Sequence, residues 1–423
     1  MLQVPYIREN KDLIIERFKV RNLDATETIE KIIETDKNRR ETQQKLDAVL
    51  ASANAKAKEI GILFKQGKGT EANALKQETS QLKEDSKTLQ EAHNQYAEEL
   101  TQLLYLIPNV PNALVPSGKT DEDNVEIFSE GTMPTLYDGA VPHWELIKKY
   151  NLIDFELGVK ISGAGFPVYT GKGARIQRAM VNFFLDNATE KGYREVQPPL
   201  LINEASGYGT GQLPDKEGQM YEATVDGLFL IPTAEVPVTN IYRDTIVSTD
   251  DLPIKNTAYS QCFRREAGSY GSDVKGLNRL HQFDKVEIVR IEHPSKSYEA
   301  LDEMVEYVKT LLQKLELPYR IVRLCGGDLG FTSALTYDFE VYSAAQEKWL
   351  EVSSVSNFES FQANRLKCRY RDENGKPQLV HTLNGSALAF PRILAALLEN
   401  NQTAEGIKIP KALAAYTGFD MIN

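Results

Sequence analysis

The feature that most constrains this chain is a proline-free stretch of heptad character near its N-terminus. Residues 28–106 contain no proline and are rich in Lys, Glu, Gln and Ala. In the second half of the stretch, large side chains recur every seven positions at Leu75, Leu82, Leu89, Tyr96 and Leu103. Such a repeat keeps one seam of a helix against a partner, which is typical of a coiled coil. We therefore expect helix through most of this stretch.

The first half of the stretch carries a matching seam. Its members alternate in steps of four and three at Leu46, Leu50, Ala53, Ala57, Ile60 and Phe64. Between the two seams, the glycines of residues 66–71 predict a turn, and Thr70 is expected as the N-cap of the second helix. We therefore predict two antiparallel helices of roughly 35 residues, which at 1.5 Å per residue form an arm of about 50 Å.

Basic residues gather near the predicted tip of the arm. Within residues 55–70, a single Glu59 accompanies the four lysines Lys56, Lys58, Lys65 and Lys68. The whole chain has a formal net charge of −11, which argues against a polyanion partner unless a local patch binds it. Phosphates that pair with such lysines release counterions, which favours RNA binding. A solvated spacer or scaffold is the alternative that periodicity alone leaves open.

Composition restricts the remaining function classes. No run of about 18 apolar residues occurs, and residues 1–5 lack the layout of a signal peptide, so we expect a cytoplasmic protein. The cysteines, Cys262, Cys325 and Cys368, lie far apart and form no CxxC pair. The five histidines show no metal-ligand spacing either, so we expect neither disulfides nor a zinc site.

The pattern changes near residue 107, where prolines punctuate a linker. Segments of strand character follow at residues 196–202, 227–231, 285–291, 319–324 and 349–353, and segments of helix character at 174–191 and 297–315. Strands in runs, with helices between and beside them, favour an α+β domain with a mainly antiparallel sheet. There is no GxxxxGK[ST] loop and no strand–GxGxxG–helix unit, so these devices do not hold a nucleotide here.

Four segments of this second half are rich in groups that handle anions. The first comprises residues 261–269 and, after a Gly/Ser loop, residues 279–287. Interpreted as strand, loop and strand, it places Arg264 and Glu266 on one strand face. An arginine fork pairs well with phosphate oxygens, a carboxylate accepts from an amino group, and Phe283 can stack on a base. A surface ion pair is the alternative for an Arg-x-Glu sequence.

Two further segments each have an ordinary structural alternative. Residues 382–392 place small residues and Arg392 at the start of an apolar helix. The small residues allow the backbone to approach a ligand closely, with Arg392 beside it. The alternative is a tight helix start at which glycine only relieves steric crowding. Glu351 and the hydroxyls of Ser353 and Ser354 suit an octahedral Mg²⁺ that bridges phosphates, or they form a polar strand edge.

The fourth segment is Thr233-Ala234-Glu235. A hydroxyl and a carboxylate that flank a small residue suit a ligand with an ammonium group and a small polar side chain. A plain helix start with Thr233 as its cap is the alternative. None of the four segments decides the function by itself.

Taken in order, the segments resemble those of bacterial seryl-tRNA synthetases, and the resemblance covers the whole chain. It is closest over residues 233–235, 263–268, 276–287, 351–354 and 382–392. Residues 192–198, which follow a predicted helix at 176–189, resemble the first class II synthetase motif; the segments around Arg264 and before Arg392 resemble the second and third. The domains implied are a tRNA-binding domain at 1–106 with its arm at about 28–106, a linker at 107–135 and a class II catalytic domain at 136–423.

The resemblance implies an ATP-dependent serine–tRNA ligase, a class II aminoacyl-tRNA synthetase. It would form seryl-adenylate from L-serine and ATP and transfer serine to the 3′ end of the serine tRNA. Whether a selenocysteine tRNA is also charged stays open. Mg²⁺ is the implied cofactor, and the implied assembly is a homodimer formed through residues 176–200.

The resemblance also implies roles for individual residues. Arg264 would bind the α-phosphate of ATP and Arg392 the far end of the nucleotide, and both would be catalytic. Further ATP contacts are implied for Arg265, Glu266, Leu280, Phe283, Glu351, Val352, Ser353 and Ser354. The serine pocket would consist of Thr233, Ala234, Glu235, Arg264, Glu287 and Ser386. Glu351 and Ser354 would coordinate Mg²⁺. The tRNA contacts would come from the arm, at Lys56, Lys58, Lys65 and Lys68.

One departure from the family and two rival functions bear on these expectations. Most relatives carry Ser where this chain has Arg265; on a strand, this side chain would point away from Arg264. A related ligase that loads a carrier protein would be expected to lack the arm. A catalytically silent RNA-binding or scaffold protein would be expected to have lost Arg264, Glu266, Glu351 or Arg392. The arm and all four residues are present, which favours the active seryl enzyme.

Overall fold

The computed structural model describes residues 1–267 and 275–423. Gly268 and Ser269, the end of the segment predicted at residues 261–269, and residues 270–274 of the Gly/Ser loop that follows it lie outside the described residues. The chain divides into two units, Met1–Lys19 with Leu23–Pro108, and Val20–Asn22 with Asn109–Asn423. No helix in the described part of the chain is both long and apolar enough to cross a membrane.

Helices make up the chain before residue 105. They are α1 (Val4–Glu9), α2 (Lys11–Val20), α3 (Thr26–Lys65) and α4 (Gly69–Leu104). Lys31, near the start of α3, pairs with Glu99 near the end of α4, and Lys56, near the end of α3, pairs with Glu78 in α4. The two long helices are therefore antiparallel, as predicted. Thr70 lies inside the first turn of α4 and is not the expected N-cap.

The seam of α4 lies where the heptads predict it, whereas the predicted seam of α3 is partly wrong. Between Leu46 and Leu63, the residues of α3 that are buried or half-buried are Leu46, Val49, Ser52, Ala53, Lys56, Ile60 and Leu63. Leu50 and Phe64, both predicted in the seam, are 43% and 51% exposed. The predicted and the observed seam share Leu46, Ala53 and Ile60, which are seven positions apart. The seam residue between each two of these, and the one after Ile60, lies one position earlier in the structure than predicted. The aliphatic stem of Lys56 takes the place predicted for Ala57.

The second unit contains the remaining helices and all the strands that the structure describes. The helices are α5 (His143–Lys149), α6 (Phe155–Ile161), α7 (Gly171–Glu190), α8 (Glu204–Thr210), α9 (Glu235–Asn240), α10 (Ser297–Lys314), α11 (Ser360–Leu366), α12 (Phe390–Asn400) and α13 (Lys411–Thr417). The strands are β1 (Val125–Glu130), β2 (Ile153–Asp154), β3 (Val168–Tyr169), β4 (Arg194–Glu195), β5 (Leu201–Asn203), β6 (Glu222–Ala223), β7 (Leu228–Leu230), β8 (Ile246–Val247), β9 (Ile254–Phe263), β10 (Gln282–Glu292), β11 (Tyr319–Arg323), β12 (Leu335–Ser343), β13 (Lys348–Asn357), β14 (Arg369–Arg371), β15 (Pro377–Leu379), β16 (His381–Ala389), β17 (Ile407–Lys408) and β18 (Met421–Ile422).

Most predicted segments correspond to one of these elements. The exception is residues 196–202, which were expected as a strand, although β4 ends at Glu195 and β5 begins at Leu201. Pro198 and Pro199 lie between them. Proline has no N–H to donate to a strand ladder, which explains the interruption.

The main sheet positions the functional residues. Among the described residues it has eight strands in the order β1-β11-β12-β13-β16-β10-β9-β4. The neighbouring strands are antiparallel, apart from the parallel pair β4 and β9. Helices α7, α10 and α12 contribute to its core through buried residues such as Phe184, Leu311 and Leu394. The architecture confirms the predicted α+β class and its mainly antiparallel sheet.

Candidate active site

The central strands of the main sheet carry most of the predicted site residues. Strand β10 lies between β9 and β16, and β13 lies on the far side of β16. Glu287 of β10 pairs with Ser386 of β16, and Phe283 of β10 pairs with Cys262 of β9. Antiparallel pairing thus brings together the second and third motifs, which are far apart in sequence.

Two buried carboxylates form the deepest part of the site. Glu235 begins helix α9 and is 6% exposed, while Glu287 is 1% exposed. Asn384 bridges them, because its Nδ2 donates to Glu235 Oε2 at 2.8 Å and to Glu287 Oε1 at 3.1 Å. Thr233 Oγ1 donates to Glu287 Oε2 at 3.0 Å. Two carboxylates beside a hydroxyl suit a small ligand with an ammonium and a hydroxyl group.

The surroundings of Glu235 raise the pKa of its carboxyl group. Burial first, and the charge of Glu287 second, raise the pKa of Glu235 to about 7. Gln362 Nε2 donates to Glu235 Oε1 at 2.6 Å, which together with Lys285 and Arg264 opposes the shift. A positively charged ligand would favour the ionised carboxylate.

Three members of this pocket were not predicted from the sequence. Asn384 and Lys285 lie within the motif segments, so their polar side chains could have been predicted as pocket residues from the sequence. Lys285 Nζ lies 2.5 Å from Glu287 Oε2. Gln362 comes from α11, outside every motif, and only the fold brings it to Glu235. Its Oε1 accepts from Thr382 Oγ1 at 2.7 Å, which orients the amide.

The second motif continues from the pocket toward the surface. Arg264 Nε donates to Pro232 O at 3.3 Å, and its guanidinium lies 5.3 Å from the Phe283 ring centroid. The expectation that Arg264 and Glu266 share a strand face is wrong, because β9 ends at Phe263. Glu266 has a φ of 47°, which a strand does not allow, and its Oε2 accepts from Arg279 Nη1 at 3.0 Å.

Arg265 also lies beyond the strand, so strand alternation does not set its direction. Its side chain is exposed, and its guanidinium lies 5.8 Å from the centroid of the Tyr221 ring. Its backbone N–H donates to Gln219 O at 2.9 Å. The residue that departs from the family pattern thus lies beside the site on an aromatic ring.

Arg392 of the third motif contacts two other motif segments, residues 276–287 and residues 351–354. It lies in the first turn of α12, where its Nε donates to Asn278 O at 2.9 Å. Its Nη1 donates to Glu351 O at 2.9 Å and lies 3.4 Å from Glu351 Oε2. A guanidinium so oriented keeps further N–H donors for a ligand.

Several predicted site residues have side chains that are buried in the protein. Leu280 and Val352 belong to the main hydrophobic core, and Ala234 to a smaller cluster. Ser353 Oγ donates to Ser386 O at 2.5 Å. Leu280, Val352 and Ala234 can therefore contact a polar ligand only through their backbone.

A strand irregularity brings the two predicted metal ligands together. Glu351 and Ser354 are three positions apart, which puts residues of a regular strand on opposite faces. The register of β12 and β13 shifts between Phe339 and Glu340, and such a bulge changes the alternation. Asp338 pairs with Ser354 in the sheet and interacts electrostatically with Glu351. Asp338 belongs to none of the segments singled out in the sequence, so this additional carboxylate was not predicted.

Asp338 indicates that this place suits a cation. Its Oδ1 is buried and has no hydrogen-bond partner among the residues that the structure describes. Burial first, and the charge of Glu351 second, raise the pKa of Asp338 well above its usual value. Mg²⁺ is bound by one or two carboxylates together with phosphate oxygens, so Asp338, Glu351 and Ser354 fit it. Outside residues 268–274, no three His, Cys, Asp or Glu side chains are arranged to hold a metal by themselves.

The four lysines of the arm differ in their surroundings. Lys56 Nζ lies 2.5 Å from Glu78 and Lys68 Nζ lies 3.5 Å from Glu71, both in α4. The net charge counted over residues 55–70 therefore leaves out two carboxylates of α4 that neutralise part of it. Lys58 and Lys65 are exposed.

Comparison with known proteins identifies the family of this chain. A family model of the seryl-tRNA synthetase N-terminal domain matches residues 1–111, and one of the tRNA synthetase class II core domain (G, H, P, S and T) matches residues 221–401. The serine–tRNA ligase of Salinibacter ruber is 50% identical over 424 residues, covering 100% of this chain and 99% of the relative. That of Chlorobaculum parvum is 44% identical over 430 residues, covering 100% of both chains.

Solved structures give the same result. The seryl-tRNA synthetase of Pyrococcus horikoshii, complexed with ATP, superposes with a TM-score of 0.92 at 32% identity. The cytoplasmic serine–tRNA ligase of Naegleria fowleri, in complex with AMP, gives a TM-score of 0.88 at 27% identity. Each comparison covers 100% of this chain and 99% of the other. With its arm, its sheet and its motif residues in this arrangement, the chain belongs to the seryl-tRNA synthetase family.

Proposed function

We propose that the pocket of Glu235, Glu287 and Asn384 binds L-serine, and that Arg264 and Arg392 bind the ATP that activates it. The chain is a serine–tRNA ligase: it forms seryl-adenylate and then transfers serine to the 3′ end of tRNA. The observation that carries the proposal is the pair of buried carboxylates bridged by Asn384 beside Arg264.

Serine selection follows from the buried polar groups. Glu235 and Glu287 accept hydrogen bonds from the ammonium and hydroxyl groups of serine, and Thr233 adds a hydroxyl next to Glu287. Alanine lacks the hydroxyl, so it would leave a buried group unpaired, which costs about 1–3 kcal/mol. Threonine must be excluded by size, which is a weaker filter.

Activation needs positioning and charge stabilisation and no protein nucleophile. The serine carboxylate attacks the α-phosphorus of ATP, and pyrophosphate leaves. Arg264 binds the α-phosphate and stabilises the charge that develops on its oxygens. Phe283 stacks on the adenine, Glu266 accepts from the adenine amino group, and Arg392 holds the other side of the nucleotide. Arg265 and the backbone of Leu280 and Val352 complete the ATP contacts.

Asp338, Glu351 and Ser354 would hold Mg²⁺ at the phosphate side of the site. When bound, this ion neutralises phosphate charge. Ser353 is fixed by its bond to Ser386 O, which supports the strand on which Ser354 and Glu351 lie. The unpaired oxygen of Asp338 supports this assignment.

The arm and the first motif would supply the macromolecular contacts. We propose that the arm binds tRNA through the exposed Lys58, Lys65 and Lys68, with the half-buried Lys56 beside them. A homodimer would form through residues 176–200, where β4 is one of the two edge strands that the main sheet has among the described residues, and Leu200 is 37% exposed. A cytoplasmic location remains a prediction.

Exchange of pyrophosphate into ATP tests the activation step. Purified protein with Mg²⁺ should support exchange that depends on serine, with alanine and threonine as the matched poor substrates. Exchange supported by another amino acid and not by serine would contradict the pocket assignment. Charging of serine tRNA by the same preparation then tests the second step.

A further inference from the structure

A buried histidine–glutamate pair lies beside the ATP end of the site, although neither residue belongs to the proposed substrate contacts. His143 begins α5, Glu399 lies near the end of α12, and both are 0% exposed. Glu399 Oε1 lies 2.6 Å from His143 Nδ1 and accepts from the His143 backbone N–H at 2.8 Å. Ser343 Oγ donates to the other oxygen of the same carboxylate. So many donors on one buried carboxylate make it a rigid anchor.

The tautomer of His143 follows from a third contact. The backbone N–H of Leu277 donates to His143 Nε2 at 2.9 Å. Nε2 must therefore carry the lone pair, and Nδ1 carries the proton that is donated to Glu399. The neutral ring thus connects the Glu399 carboxylate to the segment that leads into β10.

The first two residues of α5, His143 and Trp144, also contact Gly276 and Lys275, which precede Leu277. A Cβ on Gly276 would lie 2.3 Å from His143 Nε2, and the φ of Gly276 is 64°, so only glycine fits against the ring. Lys275 Nζ lies 4.3 Å from the centroid of the Trp144 ring. Residues 275–277 are therefore held in place by the first two residues of α5.

A second branch runs from the same carboxylate to the next residue of this segment. Gln346 Nε2 donates to Glu399 Oε1 at 2.9 Å, and Asn278 Nδ2 donates to Gln346 Oε1 at 3.0 Å. The carbonyl of Asn278 is the acceptor for Arg392 Nε at 2.9 Å. The two branches thus end on the Leu277 N–H and on the Asn278 side chain, and Asn278 is the residue whose carbonyl orients the Arg392 guanidinium.

We propose that His143 and Glu399 are positioning residues that hold the carbonyl of Asn278 where it orients Arg392 toward ATP. The inference rests on the proposed role of Arg392 in binding ATP. A guanidinium binds a nucleotide well only if its fork is aligned beforehand, and one fixed acceptor on Nε leaves the Nη donors for the ligand. Glu399 fixes that acceptor from two turns further along the helix that carries Arg392.

The variant His143→Asn tests the first branch selectively. An Asn amide can replace Nδ1 as the donor to Glu399, but it cannot reach the Leu277 N–H. We expect the Kd for ATP, measured by calorimetry, to rise about tenfold, because one buried acceptor is lost. The Kd for serine should stay within about twofold. Asn400→Ala is the matched control: it removes the bonds from α12 to Tyr342 O and the Ala344 N–H, and none to residues 275–278.

A second variant keeps the test informative if His143→Asn does not fold. Gln346→Leu leaves the His143–Glu399 pair intact and breaks the branch to Asn278. We expect it to weaken ATP binding in the same direction, with serine binding within about twofold. Equal losses in ATP and serine affinity, or a loss of ATP affinity as large in Asn400→Ala, would overturn the positioning role.

The double variant of His143→Asn and Arg392→Ala separates this inference from the function on which it rests. Residues that act through one another are non-additive, so His143→Asn should change the ATP Kd less than about twofold once Arg392 is absent. A full effect in that background would overturn the inference while Arg392 keeps its role. Wild-type ATP affinity in Arg392→Ala alone would instead show that the proposed role of Arg392 is wrong.

Discussion

The arm and the active site of this chain are stabilised by contacts of different kinds. In the arm, ion pairs such as Lys31–Glu99 join side chains that are 57% and 42% exposed. Pairs of this kind contribute about 0–1 kcal/mol, so the hairpin depends mainly on its shared seam. In the site, Glu235 and Glu287 are buried and bridged by Asn384. Removing one partner there leaves a buried polar group unpaired, at a cost of about 1–3 kcal/mol.

This difference implies that the two regions fail in different ways. The site should fail when one residue changes, because each polar group has its own partner and its own role. The arm should tolerate single surface changes, because the same heptad contact is repeated along its length. Each region also has its own test: amino-acid activation for the site and tRNA charging for the arm.

The largest single-residue effect is expected for Arg264→Ala. Loss of the group that stabilises charge on the α-phosphate should reduce serine-dependent pyrophosphate exchange about a thousandfold. Circular dichroism should stay unchanged, because the Arg264 side chain makes one hydrogen bond in the described structure, to Pro232 O at 3.3 Å, and the backbone bond to His281 O does not depend on the side chain. Arg371→Ala, in an exposed hairpin, is the control. Near-normal exchange by Arg264→Ala would rule out the assigned role.

Removal of the outer arm should separate the two steps. Residues 43–94 are replaced by a short Gly/Ser turn between α3 and α4. We expect pyrophosphate exchange within about threefold of the full chain, and a loss of tRNA charging of about a hundredfold, because the arm phosphate contacts would be missing. Raising the salt concentration should weaken charging by the full chain more than by the shortened one. An equal loss of both activities would contradict the separation of arm and site.

The fold of the arm was predicted more completely than its seam. The seven-residue spacing predicts both helices, since it depends only on local sequence. The seam of α3 was harder to predict. From Leu46 onward, apolar residues fit both a pattern that begins with a step of four and one that begins with a step of three. Leu63 is buried and Phe64 exposed, although either one completes a heptad. Only the facing helix α4 decides between them.

The site was predicted through its motifs and not through their supporting contacts. Glu235 and Glu287 lie in segments that resemble the family, whereas Gln362 and Asp338 lie outside every motif. Gln362 reaches Glu235 from α11, and Asp338 reaches Ser354 through the pairing of β12 with β13. Sequence spacing does not define strand register or helix placement, so contacts of this kind had to come from the fold.

The smallest effect is expected from proton uptake in the serine pocket. Burial, followed by the charge of Glu287, raises the pKa of Glu235 to about 7; Lys285 and Arg264 are the other charged groups that act on it. The neutral form predominates below that pH and attracts the serine ammonium weakly, so the Kd for serine should rise about tenfold from pH 8 to pH 6. Calorimetry in several buffers should also detect proton release on binding near pH 7. Glu235→Gln should bind serine weakly with no such slope, and a flat profile for the unmodified chain would contradict a titrating Glu235.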